Sequence, residues 1–189
     1  FDGIYKQSQV DGLNAILDKW EAESPKDDDR WLAYILGTAH HETGRTMQPV
    51  RETFANSDDQ AIARLNKAFG AGKLKWVKTP YWKKDSEGKT WLGRGLVQLT
   101  HKYNYIKLSD SINVDLVTDP TVAMNMDVAL KIMFIGMKDG LFTGQYLGKY
   151  FGGKIEKWRE ARKIINGLES ADLVAGYARR YYAAISYTV

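Results

Sequence analysis

Cysteine is absent from this chain. Its absence excludes a disulfide scaffold, Cys-ligated zinc, iron–sulfur clusters and a thiol nucleophile. Histidine is scarce: His40, His41 and His101 are the only three, so a multi-His metal centre would be tight. Proline is limited to Pro25, Pro49, Pro80 and Pro120. No low-complexity linker or internal repeat is present. No apolar run reaches the roughly 18–20 residues of a membrane span, so no stable membrane insertion is expected. The longest run, 31–39, has the length of a core helix and contains Gly37 and Thr38. No signal-peptide pattern is visible. Because the chain begins at Phe1 rather than Met, a native start is expected to have been removed.

What is present fits one globular domain over 1–189. Hydrophobic residues make up 44% and charged residues 26% of the 189 positions, an ordinary balance for a chain that buries its own core. The net charge of +4 hides an uneven distribution. Residues 1–30 hold eight acids against four bases, net −4. Residues 67–102 hold nine bases against Asp85 and Glu87, net +7, interleaved with Trp76, Tyr81, Trp82 and Trp91. Such a segment suits a polyanion or a sugar surface. A solvated hairpin with lysines on its outer face is the simpler alternative.

The periodicity is mostly helical. Ser8 followed by Asp11 resembles a capping box, and Val10, Leu13, Leu17 and Trp20 form one stripe of an N-terminal helix within 1–25. Asp27, Asp28 and Asp29 mark the next helix start. It is apolar nearly all round and should cross the core, stopping near Thr43 and Gly44. Ser57 opens a third helix with Gln60 as its capping partner, closed by Gly70. Residues 75–99 break helical period and are predicted to form a hairpin turning at 85–88. Helices are then predicted over 100–109, from Pro120 to a stop at Gly140, over 154–165, and from Ala171 to Tyr187. The expected fold is mainly α with one small β excursion.

Glu42 is the most informative residue. It lies at the C-terminal end of the buried helix, where the helix dipole and apolar surroundings both disfavour a carboxylate. A carboxyl that keeps its proton is what a general acid needs. An exposed Glu at a helix end is the alternative. Glu52 follows beyond Pro49 on an expected loop, solvated and ionised, or else paired with Arg51 or Arg45. A protonated acid with an ionised base is the pair that glycoside hydrolysis requires. In Gly93-Arg94-Gly95-Leu96-Val97-Gln98-Leu99-Thr100, the two glycines suggest a tight backbone path. Gln98 can donate and accept to an N-acetyl or hydroxyl group. Thr100 caps the next helix or orients a water, with Asn104 one turn on. Ser57 reads as an N-cap and Asp58 as first-turn charge. His40-His41-Glu42 lacks the second His that the zinc protease motif requires.

Ala39-His40-His41-Glu42-Thr43-Gly44 resembles the His-Glu-Thr motif of glycoside hydrolase family 19, which includes plant-type chitinases and phage endolysins of lysozyme-like fold. Residues 93–105, ending Gln98-Leu99-Thr100-His101-Lys102-Tyr103-Asn104-Tyr105, resemble its Gly-Arg-Gly block. Val114-Asp115-Leu116, Asp119-Pro120 and Ile164-Ile165-Asn166-Gly167 follow in family order. The resemblance implies Glu42 as general acid, Thr100 as the hydroxyl that positions water, Gln98 and Asn104 as sugar-binding amides, and Asn166 as a cleft residue. His41, Arg94 and Trp91 are read as further substrate contacts. Family chitinases place the base about twice as far beyond the acid, in a disulfide-linked loop absent here. Endolysin members place an acid nine or ten positions on, which fits Glu52. The Arg that chitinases carry in the last helix is replaced near Val174.

The resemblance therefore implies an endolysin that cleaves the β-1,4 bonds of peptidoglycan with inversion. It would need no metal or organic cofactor and no nucleic-acid partner. It is expected to work as a monomer, made in the host bacterial cytoplasm and acting on the wall. A chitinase is the nearest alternative. A non-catalytic wall-binding module and a zinc amidase are more distant ones.

Overall fold

The computed structural model describes residues 4–186. Phe1 and the expected last residue of the final helix, Tyr187, lie outside them. The helices are α1 (Gln7–Glu23), α2 (Asp29–Glu42), α3 (Asp58–Gly70), α4 (Lys102–Ile112), α5 (Met126–Lys138), α6 (Leu147–Tyr150) and α7 (Ala171–Ile185). Two antiparallel pairs of two-residue strands complete the fold. β1 (Val50–Arg51) pairs with β2 (Arg94–Gly95), and β3 (Phe151–Gly152) with β4 (Ile155–Glu156). The fold is thus mainly α, as expected. Among the described residues no helix is long and apolar enough to cross a membrane.

α2 organises the main core. The Asp28 side chain accepts from the Arg30 amide and caps it, satisfying a donor that the first helical turn leaves free. From Leu32 through His40 every residue is buried, so the helix is covered on all sides. α7 packs along it at close range. A Cβ on Gly37 would lie 2.7 Å from the Ala178 nitrogen, so this crossing requires glycine. Ile16 and Trp20 of α1, Met133 and Phe134 of α5, and Val174 and Ala178 of α7 complete the core.

A second, smaller core of Ala55, Ala61, Leu65, Trp82 and Leu92 lies beneath α3. Here regular structure is sparse. Ser57 accepts from the Gln60 amide as the expected N-cap. The hairpin predicted over 75–99 is corrected. Its turn is present, with the Gly88 amide on the Asp85 carbonyl at 2.9 Å and the Asp85 amide on the Lys89 carbonyl at 2.8 Å. No strand ladder flanks it. The Asp85 side chain takes the Glu87 and Lys89 amides and the Trp91 indole, so local side-chain bonds replace the ladder.

Three other boundaries differ from expectation. α1 begins at Gln7, and Gln9 rather than Ser8 closes the cap by accepting from the Lys6 amide. The long helix expected from Pro120 splits into a 3-10 turn over Pro120–Met124 and α5, because Asn125 caps a new start on the Asp127 amide. The helix expected over 154–165 is instead the β3–β4 hairpin followed by a 3-10 turn over Glu160–Ile164.

Candidate active site

Glu42 is the last residue of α2. The helix stops there because Thr43 donates back from both its amide and its hydroxyl to the Ala39 carbonyl, and Gly44 follows at φ 57°. The side chain enters a pocket of about 270 Å3. Val97, Leu99, Phe142 and Ile165 give it apolar walls; Gln98, Thr100, Asn104 and Asn166 give it polar ones. The expected sugar-binding residues and the expected acid are therefore in one place. The alternative of an exposed Glu is excluded, since the side chain is only 13% accessible. The environment expected for it is nevertheless corrected. Arg162, itself 4% accessible, puts Nη1 2.5 Å from Glu42 Oε1, and its Nε donates to the Glu169 carbonyl. Sequence periodicity placed Arg162 on a regular helix and gave no reason to bring it here.

Glu52 is held quite differently from a solvated loop residue. Its backbone amide donates to the Gly93 carbonyl at 2.7 Å, and the Gly93 amide returns to Glu52 Oε2 at 2.8 Å. Tyr81 donates its hydroxyl to Oε1 at 2.6 Å. Neither arginine suggested as a partner takes that part: Arg51 turns to Asp58 at 2.9 Å, and the Arg45 carbonyl accepts from Gln9. The tyrosine is raised well above the usual phenol range, first by burial and then by its bond to Glu52, so it remains a neutral donor. After Glu52 the chain passes through Thr53 at φ 61° and Phe54 at φ 54°. Left-handed backbone is rare for a β-branched residue. Such outliers cluster where a fold over-determines a functional segment.

The two carboxylates are linked by one short segment. β2 leads into a tight return in which Arg94 and Leu99 exchange backbone bonds at 3.2 and 2.9 Å. Gln98 has φ 54° and His101 φ 69°. Gln98 gives its amide nitrogen to the Val50 carbonyl at 2.8 Å, and Asn104 gives its own to the Thr100 carbonyl at 2.9 Å. A Cβ on Gly93 would stand 2.8 Å from Gln98 Oε1 and 3.3 Å from Thr100 Cγ2. The residue whose amide holds Glu52 thus lies directly against the floor of the Glu42 pocket. A side chain at 93 would have to push the Gln98 amide aside.

Two expected substrate contacts are corrected. Arg94 is 1% exposed. It donates to the Thr90 carbonyl, the Tyr105 hydroxyl and, at 2.5 Å, Asp58. It is a buried strut of the β1–β2 pair. Asp58 accordingly does more than begin α3. Burial alone would raise it, but Arg94 and Arg51 outweigh that and hold it below the usual carboxylate range. Trp91 is also buried, with its indole N–H on Asp85 and Lys102 5.2 Å over its ring. His41 is half-buried beside Glu42 and Arg162, and burial holds it below the usual imidazole range. Tyr81, Arg162 and Phe142 are the site residues that sequence patterning did not find. Among the described residues no group of three or more His, Asp or Glu is placed to hold a metal ion.

A carboxyl in a pocket with amide and hydroxyl walls, joined through Gly93 to a second carboxylate that follows β1, is the arrangement of a glycoside hydrolase on a helical scaffold. Residues 24–138 match the model of glycoside hydrolase family 19, described as chitinase class I, and the chain belongs to that family. The matched stretch includes Glu42, Glu52, Gln98, Thr100 and Asn104. Chitinase C from Streptomyces griseus HUT6037 has a similar fold, with a TM-score of 0.58 and 19% identity over 97% of this chain and 86% of that one. A mutant of chitinase C gives 0.57 and 19% over the same shares. No curated protein sequence matches the chain.

Proposed function

We propose that this family 19 enzyme is a phage-type endolysin that hydrolyses the β-1,4 bond between N-acetylmuramic acid and N-acetylglucosamine in peptidoglycan. The observation that carries the step from glycoside hydrolase to wall hydrolase is the charge beside the cleft. Lys67, Lys73, Lys75, Lys78 and Lys83 are all exposed, and the ion pairs among the described residues leave them out. Chitin is neutral and offers nothing to these lysines, whereas peptidoglycan is anionic.

In this reading Glu42 gives its proton to the leaving glycosidic oxygen as the bond to the anomeric carbon breaks. Glu52 takes a proton from a water held also by Thr100. The water oxygen bonds to the anomeric carbon from the opposite face, so the configuration inverts. Gln98 and Asn104 keep their amide oxygens for the substrate because their nitrogens are committed to the backbone. The enzyme acts on the wall as a monomer, after synthesis in the host cytoplasm.

Mass spectrometry of products from purified peptidoglycan tests this. Reducing muramic ends support the reading, while free peptides or reducing glucosamine ends overturn it. The family description favours one second reading, a chitinase. Release of chitooligosaccharides with no release from peptidoglycan would establish that instead.

A further inference from the structure

Beyond Glu52 lies a groove that the mechanism above leaves unused. The Val77 amide closes a turn on the Leu74 carbonyl at 3.0 Å, which puts Lys75 and Trp76 at the corner. Leu74 and Val77, the feet of the turn, pack on the small core under α3. The corner therefore has an apolar footing, yet Trp76 itself is 76% exposed. Trp76, Val77, Lys78, Thr79, Tyr81 and His101 line a groove of about 550 Å3.

A lone exposed aromatic is ordinary; the position and charge of this one are not. Tyr81 is the residue that holds Glu52. His101 follows Thr100 and places its ring 4.5 Å from that of Tyr81. The groove thus continues the cleft on the Glu52 side. Lys73, Lys75 and Lys78 are exposed around it, while the acids of the same stretch are already engaged: Asp85 with Lys102, and Glu87 with Lys89.

We propose that this groove is the binding site for a peptide-bearing, anionic sugar of the glycan strand. The Trp76 indole covers the apolar face of the ring. The ammonium groups of Lys75 and Lys78 meet the carboxylates of the peptide carried on its lactyl ether. The proposal rests on the wall-hydrolase reading and deepens it, because it assigns the residues that separate a peptide-substituted strand from a bare one. A neutral polymer could use the indole but not the lysines.

The test is steady-state kinetics, by reducing-end release, on soluble glycan strands with their peptides and on the same strands with every peptide carboxylate converted to an amide; stripping the peptides would instead free a carboxylate on each lactyl ether. The double variant Lys75→Gln, Lys78→Gln should raise KM on peptide-bearing strands by about threefold to tenfold, with kcat within about twofold. On amidated strands its KM should equal that of the wild type. Trp76→Ala should raise KM on both. Added salt should weaken the wild type on peptide-bearing strands more than it weakens the lysine variant. All three positions are exposed, so circular dichroism should show an unchanged fold. An unchanged KM for the lysine variant on peptide-bearing strands overturns the groove assignment while the wall-hydrolase reading stands. A wild type that cleaves neither kind of strand overturns both.

Discussion

Glu42 ends a fourteen-residue helix whose residues from Leu32 through His40 are all buried, whereas Glu52 begins a three-residue 3-10 turn after two residues of strand, in the region of a core of only five side chains. The first carboxylate is positioned by packing. Its backbone can move only if α2 moves, and α2 is locked against α7 at Gly37. The second is positioned by hydrogen bonds, through Tyr81 and the reciprocal pair with Gly93. Interiors are densely packed and respond stiffly. Regions with few buried contacts open at lower free energy. The Glu42 side of the cleft is therefore the stiffer one, and the side bearing Glu52, Tyr81 and Trp76 is the more easily moved.

The largest effect expected from breaking this pairing is on chemistry. Glu42→Gln keeps the size and an acceptor for Arg162 but removes the transferable proton. kcat on peptidoglycan should fall by about 10²–10⁴-fold, with the fold retained by circular dichroism and the melting temperature lowered by several degrees, because the buried Arg162 loses its counter-charge. Near-wild-type turnover would sink the acid assignment. Arg162→Met should instead act on stability. It strands a carboxylate that is mostly buried, at a cost of about 3 kcal/mol. In a domain of this size that lowers Tm by about 6–12 °C, readable by calorimetry. A shift under about 2 °C would mean that Glu42 relaxes into solvent, and that the acid side is less rigid than its packing implies.

The same contrast decides what was legible in the sequence. The packed side announces itself: the apolar run of 31–39, the acidic cap at Asp28 and the stop at Thr43 and Gly44 all follow local rules. They place Glu42 correctly. Gln98, Thr100 and Asn104 stand out in the sequence as well, and the fold puts them in one pocket with it. The loop side was only partly readable. Glu52 was found, but its supports were not. Tyr81 is 29 residues away and Gly93 41 residues away, and no periodicity connects them. Arg94 and Trp91 misled for a related reason. A charged and an aromatic residue in a glycine-flanked segment look like ligand contacts, but Asp58, Tyr105 and Asp85 draw them inward. Arg162 escaped because a 3-10 turn over Glu160–Ile164 replaced the end of the regular helix expected there, which changed the face on which it emerges.

A smaller effect belongs to pH, and it separates the two sides. His40 lies in the packed region with Nδ1 3.0 Å from the Tyr181 hydroxyl. Burial, the main cause, pushes it down to about 4. A histidine lowered in the fold binds its proton more readily when unfolded. Stability should therefore be full above about pH 6.5 and should decline as pH falls from there toward 4, by about 2–3 kcal/mol in all. Urea melts at pH 7 and pH 4.5 should show the loss, and His40→Phe should reduce it, leaving the share of His41, which burial also lowers. Asp58, held low by Arg94 and Arg51 once burial is overcome, contributes in a more acidic window. Its share is present above about pH 4 and is lost below it. Asp58→Asn should therefore leave the slope between pH 4 and 6.5 intact.

The smallest effect should come from Tyr81→Phe, which tests the hydrogen-bonded side directly. The ring remains to pack edge-on against Trp82, so the small core is undisturbed. Only the hydroxyl on Glu52 is lost. A hydrogen bond to a charged group contributes about 1.5–3 kcal/mol when buried, and less here because Glu52 is partly open and keeps the Gly93 amide. Stability should therefore fall by about 1 kcal/mol. kcat should fall by about tenfold if Glu52 is the base, because its carboxylate then swings on one remaining bond. KM should hold. An unchanged kcat with a raised KM would mean that Tyr81 serves the groove and not Glu52. A loss of stability on the scale of Arg162→Met would mean that the two sides of the cleft are equally rigid.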